Sequence, residues 1–160
     1  MSTVTVGVDN FATTIEQDGI VLLDFWASWC GPCRSFAPVY EAASEANPDI
    51  VFGSINTEDE RDLSGGLQIS SIPTLMAFRD GIMVFRQPGA LPAPMLDQLI
   101  DAVRALDMDD VRRKVAEPLV HVVEHDEGAA VRGGGGLGLQ RRHTQRHYPR
   151  MTRPGYPVLG

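Results

Sequence analysis

The sequence predicts an α/β fold, a central mixed sheet flanked by helices. Three observations support this. Apolar strand-like runs alternate with helical patterns as far as Asp107. One run, Ile20 to Trp26, is apolar enough to be buried on both faces. A hairpin signal around Asp80-Gly81 then closes the series with an antiparallel pair. The 160 residues, 43% apolar and 22% charged, suffice for one hydrophobic core, so one domain with a tail is the expected organisation.

Val4 to Val8 reads as a short edge strand, and Asp9 as the N-cap of a helix that places Phe11 and Ile15 on one face. Asp18-Gly19 ends that helix. The run from Ile20 to Trp26 is too short and too apolar for anything but a central strand, and it carries a single acid, Asp24. A helix from Pro32 to Ala46 presents Phe36, Val39, Tyr40 and Ala43 at helical spacing, with a kink expected at Pro38. Asn47-Pro48 closes it. Ile50 to Ile55 alternates as a third strand, and Asp59 to Leu67 forms a short helix. Thr74 to Phe78 and Ile82 to Phe85 pair around a tight Asp-Gly turn. Pro92 opens a last helix that directs Met95, Leu96, Leu99, Ile100, Val103 and Leu106 toward the core.

Beyond Asp107 the pattern fades. Asp109 to Glu117 has helical character, and Leu119 to Val123 is an apolar run of undecided type. From Gly128 the chain is rich in glycine and arginine, with four consecutive glycines at 133 to 136 and no periodic apolar face. Such a segment buries too little surface to offset an ordering entropy of about 1–2 kcal/mol per residue, so disorder is expected. The organisation expected is a folded domain over 1–114, a helical extension over 115–127 and a disordered tail over 128–160. Charge divides at the same place. The net charge of -7 combines -13 over residues 1–127 with +6 over residues 128–160. Arg132, Arg141, Arg142, Arg146, Arg150 and Arg153, with Tyr148 and Tyr156, suit a nucleic acid or an acidic partner. An inert extension is the preferred reading, so nucleic acid is not expected as a partner. A third reading follows from 13 arginines against one lysine: GC-rich coding with an altered frame near Gly128.

The chain has two cysteines, both in Cys30-Gly31-Pro32-Cys33. It therefore has no disulfide framework of the secreted kind. No basic and apolar leader opens the sequence, and no run approaches the ~20 apolar residues of a membrane span, so a cytoplasmic protein without membrane attachment is expected. In a reducing compartment the pair is redox-active or metal-binding rather than structural. A thiol nucleophile must be a thiolate near neutral pH, and Cys30 just ahead of a helix N-terminus meets that need through unpaired N–H groups and the helix dipole. Gly31 permits the tight turn, and Pro32 suits the first helical turn, where its missing N–H costs nothing. Zinc would require two more ligands, with His121 and His125 or His143 and His147 as the candidates. Neither pair has apolar flanks to fix a site, so no metal is expected.

The segment from Asp24 to Cys33, Asp-Phe-Trp-Ala-Ser-Trp-Cys-Gly-Pro-Cys, resembles the active-site segment of thioredoxins. Phe36-Ala37-Pro38, Ser71-Ile72-Pro73-Thr74 and Gly89-Ala90-Leu91 extend the resemblance in the right order, over about residues 3 to 107. It implies the thioredoxin fold and a protein-disulfide reductase that maintains thiol redox balance. It also implies a monomer that holds no cofactor and takes electrons from NADPH through a flavin-containing reductase, here thioredoxin reductase. Disulfide-containing proteins would be the targets. Carried over, Cys30 is similar to the attacking thiolate and Cys33 to the resolving thiol. Asp24 resembles the family's buried carboxylate, which moves a proton to or from Cys33; the bland alternative is an acid satisfied at a strand edge. Trp29 and Trp26 resemble the aromatic pair beside the disulfide, although Trp26 also reads as plain core. Pro73 after Ile72 corresponds to the family's cis-proline, whose neighbouring backbone pairs with the substrate chain, and Gly89 to the glycine of the substrate groove.

In one respect the sequence departs from the family. Many thioredoxins carry a lysine on the third strand near the buried acid, where this chain has Gly53-Ser54; its single lysine is Lys114. Without that charge the Asp24 carboxyl is expected to titrate higher. A function of another class is a redox-silent thioredoxin-fold binding or chaperone-like module that uses its basic tail.

Overall fold

The computed structural model describes residues 3–116. Those up to Leu106 belong to one compact unit, and those from Asp107 belong to a second. In chain order the first unit contains β1 (Thr3–Thr5), α1 (Phe11–Ile15), β2 (Ile20–Trp26), α2 (Gly31–Ala46), β3 (Val51–Asn56), α3 (Arg61–Gly66), β4 (Thr74–Arg79), β5 (Ile82–Pro88) and α4 (Ala93–Arg104). The five strands form one sheet in the order β1-β3-β2-β4-β5. β1, β3 and β2 run parallel, whereas β4 is antiparallel to β2 and β5 to β4. The expected mixed sheet flanked by helices is therefore the architecture.

β2 sits at the centre and has no solvated face, which explains its near-continuous apolar sequence. Strand parity sends its side chains to two separate cores. Leu22 packs with Phe36, Tyr40, Phe52, Leu96 and Ile100 on the side of α2 and α4. Val21, Leu23 and Phe25 pack with Ile55, Met76 and Phe78 on the other side, joined by Phe11 and Ile15 of α1 and Leu63 of α3. By the same parity Asp24 shares the Leu22 face, under α2.

Asp80 (φ 51°) and Gly81 (φ 80°) both lie in the left-handed region. Such a pair makes the tight turn that matches the twist of β4 and β5. The Asp80 carboxylate accepts from the Gly19 N–H at 2.8 Å, and the Asp80 N–H donates to the Gly19 carbonyl at 2.9 Å. The hairpin turn is thereby tied to the loop that opens β2.

Several local expectations are corrected. The edge strand covers Thr3–Thr5 rather than Val4 to Val8. Past Val6, whose N–H still reaches the Ser54 carbonyl, the chain leaves the sheet, and the Val8 N–H is taken by the Glu60 carboxylate. Asn10, not Asp9, occupies the N-cap of α1. Its side chain does not cap the helix but closes the preceding loop, accepting from the Gly7 N–H at 2.8 Å and donating to the Thr5 carbonyl at 3.1 Å. Met95 is half exposed, so the core stripe of α4 is Leu96, Leu99, Ile100 and Val103. Pro92 stands at the N-cap of α4, just outside its first turn.

The second unit supplies α5 (Met108–Ala116), close to the helical stretch expected from Asp109. The Asp107 carboxylate accepts from the Asp109 and Asp110 N–H groups at its start. Arg112–Asp109, Arg113–Asp110 and Lys114–Asp110 pairs line its exposed surface. The remainder of the 115–127 extension and the whole 128–160 tail lie outside the described residues, as do the four histidines.

Gly53 tests the packing where β1, β2 and β3 meet. A Cβ there would stand 2.6 Å from Leu23 Cδ2 and 2.9 Å from Val6 Cγ2, both on fully buried side chains without room to withdraw. Gly53→Ala is expected to lower stability by roughly 1–3 kcal/mol, the usual range for overpacking, measured by urea denaturation.

Candidate active site

Cys30 is the N-cap of α2, in extended conformation (φ -85°, ψ 111°), and Cys33 lies one turn into the helix. The two are joined by a disulfide, with Cα atoms 5.2 Å apart. The Cys33 N–H donates to Cys30 Sγ at 3.2 Å. Cys30 therefore takes the part that Ser or Asp plays at other helix N-termini, and its sulfur meets the positive end of a sixteen-residue helix. That is the environment in which a thiolate is favoured over a thiol. Both cysteines are buried to within a few per cent, packed with Ala27 and against Trp26 and Ile72. Gly31 and Pro32 lie exposed at the helix start, and Trp29, 67% exposed, stands beside them. The Arg34 guanidinium donates to the Ser28 carbonyl at 2.9 Å and pins the turn that carries Trp29.

One further loop reaches the sulfurs, and a second is fastened to it. The Ile72–Pro73 peptide bond is cis, and the Ile72 carbonyl oxygen lies 3.7 Å from Cys30 Sγ. The Gly89 N–H donates to the Pro73 carbonyl at 2.8 Å, so the β3–β4 and β5–α4 connections are fastened together. Gly89 has φ 104°, which disfavours any side chain, and nothing lies within 4 Å of where a Cβ would be. The surface above it is open. Resemblance alone makes Gly89 the groove glycine; its backbone conformation is an additional reason for glycine.

Asp24 lies opposite Ser54 of β3 and Leu75 of β4. It is only 5% exposed, and its Oδ1 has no hydrogen-bond partner. Burial pushes its carboxyl up from 3.8 to about 7, the direction expected from Gly53-Ser54 in place of the lysine. Asp24 and Cys33 line one cavity of about 250 Å3 with Tyr40, Ser54, Thr3 and Glu41, and with Arg34 and Ser28 nearer the outside. The Tyr40 hydroxyl lies 2.7 Å from the Gly53 carbonyl and 3.0 Å from the Leu22 carbonyl. Burial, with the Asp24 charge second, holds its phenol well above the usual range, so it keeps its proton. Glu41 and Thr3 carried no sequence expectation. The signal was present for Glu41, because 33, 37 and 41 fall on one face of α2. Thr3 comes from an edge strand far away in sequence.

A dithiol seated at a helix N-terminus, with a raised carboxyl behind it and the Ile72 main-chain carbonyl facing it, defines a thiol–disulfide exchange protein. Comparison with known proteins agrees. The thioredoxin family model matches residues 2–102. The chain is 54% identical over 116 residues to "Putative thioredoxin 2" of Streptomyces coelicolor, covering 72% of this chain and 87% of that protein. It is 39% identical over 105 residues to "Thioredoxin" of Alicyclobacillus acidocaldarius, covering 64% of this chain and all of that one. Among solved structures, the Malassezia sympodialis thioredoxin (Mala s 13) superposes with a TM-score of 0.58 at 28% identity, over 66% of this chain and 94% of that one. The chain belongs to the thioredoxin family and is a thioredoxin-type disulfide oxidoreductase.

The Asp24 proton links this site to stability. The folded protein holds that proton more tightly than the unfolded chain, so the contribution of Asp24 to stability is full in acid and is lost as pH rises from about 4 to about 7. A carboxyl moved from 3.8 to about 7 accounts for roughly 4 kcal/mol over that window. Asp24→Asn is expected to be more stable than the parent at about pH 8 and close to it at about pH 4, as read from urea melts at both values.

Proposed function

We propose that this protein is a protein-disulfide reductase acting by dithiol–disulfide exchange, with Cys30 as nucleophile, Cys33 as resolving thiol and Asp24 as their proton acceptor. The observation that carries this reading is the Cys30 sulfur at the α2 N-terminus, bonded by the Cys33 N–H and facing the Ile72 carbonyl. In the reduced protein the Cys30 thiolate attacks one sulfur of a target disulfide. A mixed disulfide forms and the first target thiolate leaves. The Cys33 thiol passes its proton to the Asp24 carboxylate and attacks Cys30 Sγ. The second target thiolate departs and takes up a proton, and two electrons have moved from the dithiol to the target. The exposed Trp29 and Gly89, with the main chain of Ile72 and Pro73, receive the extended target chain, and main-chain pairing there favours breadth of targets over sequence selectivity.

The reading extends to the partners that the family implies. NADPH, through a flavin-containing thioredoxin reductase, would regenerate the dithiol, with no cofactor held by this chain, and cytoplasmic protein disulfides would be the substrates. None of the helices among the described residues is long and apolar enough to cross a membrane.

Insulin-disulfide reduction tests the proposal. Cys30→Ser is expected to abolish activity. Cys33→Ser is expected to accumulate a mixed disulfide with the target, seen on non-reducing gels. Equal activity in the Cys30→Ser protein would overturn the reading. Because Asp24 must be ionised to accept the Cys33 proton, the resolving rate is expected to rise through about pH 7 and to lose that inflection in Asp24→Asn.

A further inference from the structure

The Asp24 carboxyl must return its proton to water in every catalytic cycle, yet the strand that carries it is buried on both faces and its Oδ1 is unbonded. The cavity beside it is its way out. Water in the liquid occupies roughly 30 Å3 per molecule, so a space of about 250 Å3 accommodates a short chain of waters. Its walls are more apolar than polar, but Asp24, Ser54, Thr3, Ser28 and Glu41 offer oxygen atoms to which water can bond.

The groups facing Asp24 across this space come from three elements. β1 supplies Thr3 and β3 supplies Ser54, neither of which titrates. α2 supplies Cys33, Arg34, Tyr40 and Glu41. The Arg34 guanidinium keeps its charge, and the Tyr40 phenol keeps its proton. Glu41 is thus the one further carboxylate in the lining. It is half-buried at the outer wall, where its Oε2 accepts from Thr3 Oγ1 at 3.1 Å. Cys33, Ala37 and Glu41 lie successively along one helix face, so the sulfur and the outer carboxylate are two turns apart on a rigid element.

We propose that Glu41 is the outer station of a proton path, exchanging protons between solvent and Asp24 through water in the cavity beside Ser54. This rests on the reductase reading given above. The proton released by the Cys33 thiol passes to the Asp24 carboxylate, then by water to the Glu41 carboxylate and into bulk; the reverse reaction runs the same path inward. Glu41 touches neither sulfur nor target. It is a positioning and relay residue held in place by Thr3. The serine at 54 matters because a long side chain there would occupy the passage.

The test follows insulin-driven oxidation of the reduced full-length protein by stopped-flow tryptophan fluorescence, in dilute buffer and with added formate or imidazole. Glu41→Gln keeps the size and the Thr3 contact but removes the acid. It is expected to slow the reaction roughly tenfold in dilute buffer, less than the about 10²–10⁴ due to a direct general base, with the rate restored by the added buffers. Glu41→Asp is expected to stay near the parent rate. Parent speed in Glu41→Gln at every buffer concentration would overturn the relay, and so would a slowing that no buffer relieves. Should Glu41→Gln fail to fold, Ser54→Val, which narrows the passage, decides the matter: the same buffer-relieved slowing supports the path, and its absence overturns it. A parent protein that does not reduce insulin, or an active Cys30→Ser protein, would instead remove the reductase reading itself.

Discussion

A carboxylate buried in the central strand, with one oxygen left without a partner, is the constraint around which this molecule is arranged. An unsatisfied buried acceptor costs about 1–3 kcal/mol, a large share of the stability of a small domain. Nothing in the packing of β2 requires it, since Val21, Leu22, Leu23 and Phe25 would continue as an apolar run. The burden is borne by two cores, one on each face of the sheet, that share the same strand. What the carboxyl gives in return is a group that changes charge near neutral pH within the wall of the cavity that also holds Cys33.

Helix α2 connects this burden to the chemistry. Its first turn carries the two sulfurs, and its later turns drive Phe36, Tyr40 and Ala43 into the core. Phe36 and Tyr40 pack with ring centres 5.6 Å apart, and Tyr40 meets Phe52 edge-on at 5.1 Å. The Tyr40 hydroxyl reaches main-chain carbonyls of both β2 and β3. Position along the helix therefore fixes the sulfurs relative to the sheet, and with them the relation of Cys33 to Asp24. The helix continues through Pro38 as a single element, although that residue has no N–H to give.

The other side of the sulfurs is built from loops. Gly89, bonded to the Pro73 carbonyl, holds the β5–α4 connection against the β3–β4 connection, whose Ile72 carbonyl faces Cys30. A rigid helix end thus meets a backbone-lined surface. The helix favours the charged sulfur, and the loops offer main-chain groups to whatever chain brings a disulfide.

Much of this was legible in the residues. Patterning located β2, α2, β3 and the β4–β5 hairpin because burial on one face or two leaves periods that a sequence preserves, and Asp80-Gly81 announced its turn through backbone conformations that few residues adopt. The thiol pair, Asp24 and the Ile72-Pro73 step were legible as well, as short-range chemistry or as resemblance. The misplaced features were those decided by competition between distant groups. Val8 left the edge strand because the Glu60 carboxylate takes its N–H. Asn10 rather than Asp9 reached the cap position because its amide closes the loop from Thr5. Met95 faced outward because α4 needs only one stripe against α2 and the sheet. Residue pattern alone was enough for the elements, the dithiol and the odd acid among apolar neighbours. That Thr3, Ser54 and Glu41 share one cavity with that acid could be seen only in the folded chain, because three separate elements must pack before a void exists between them.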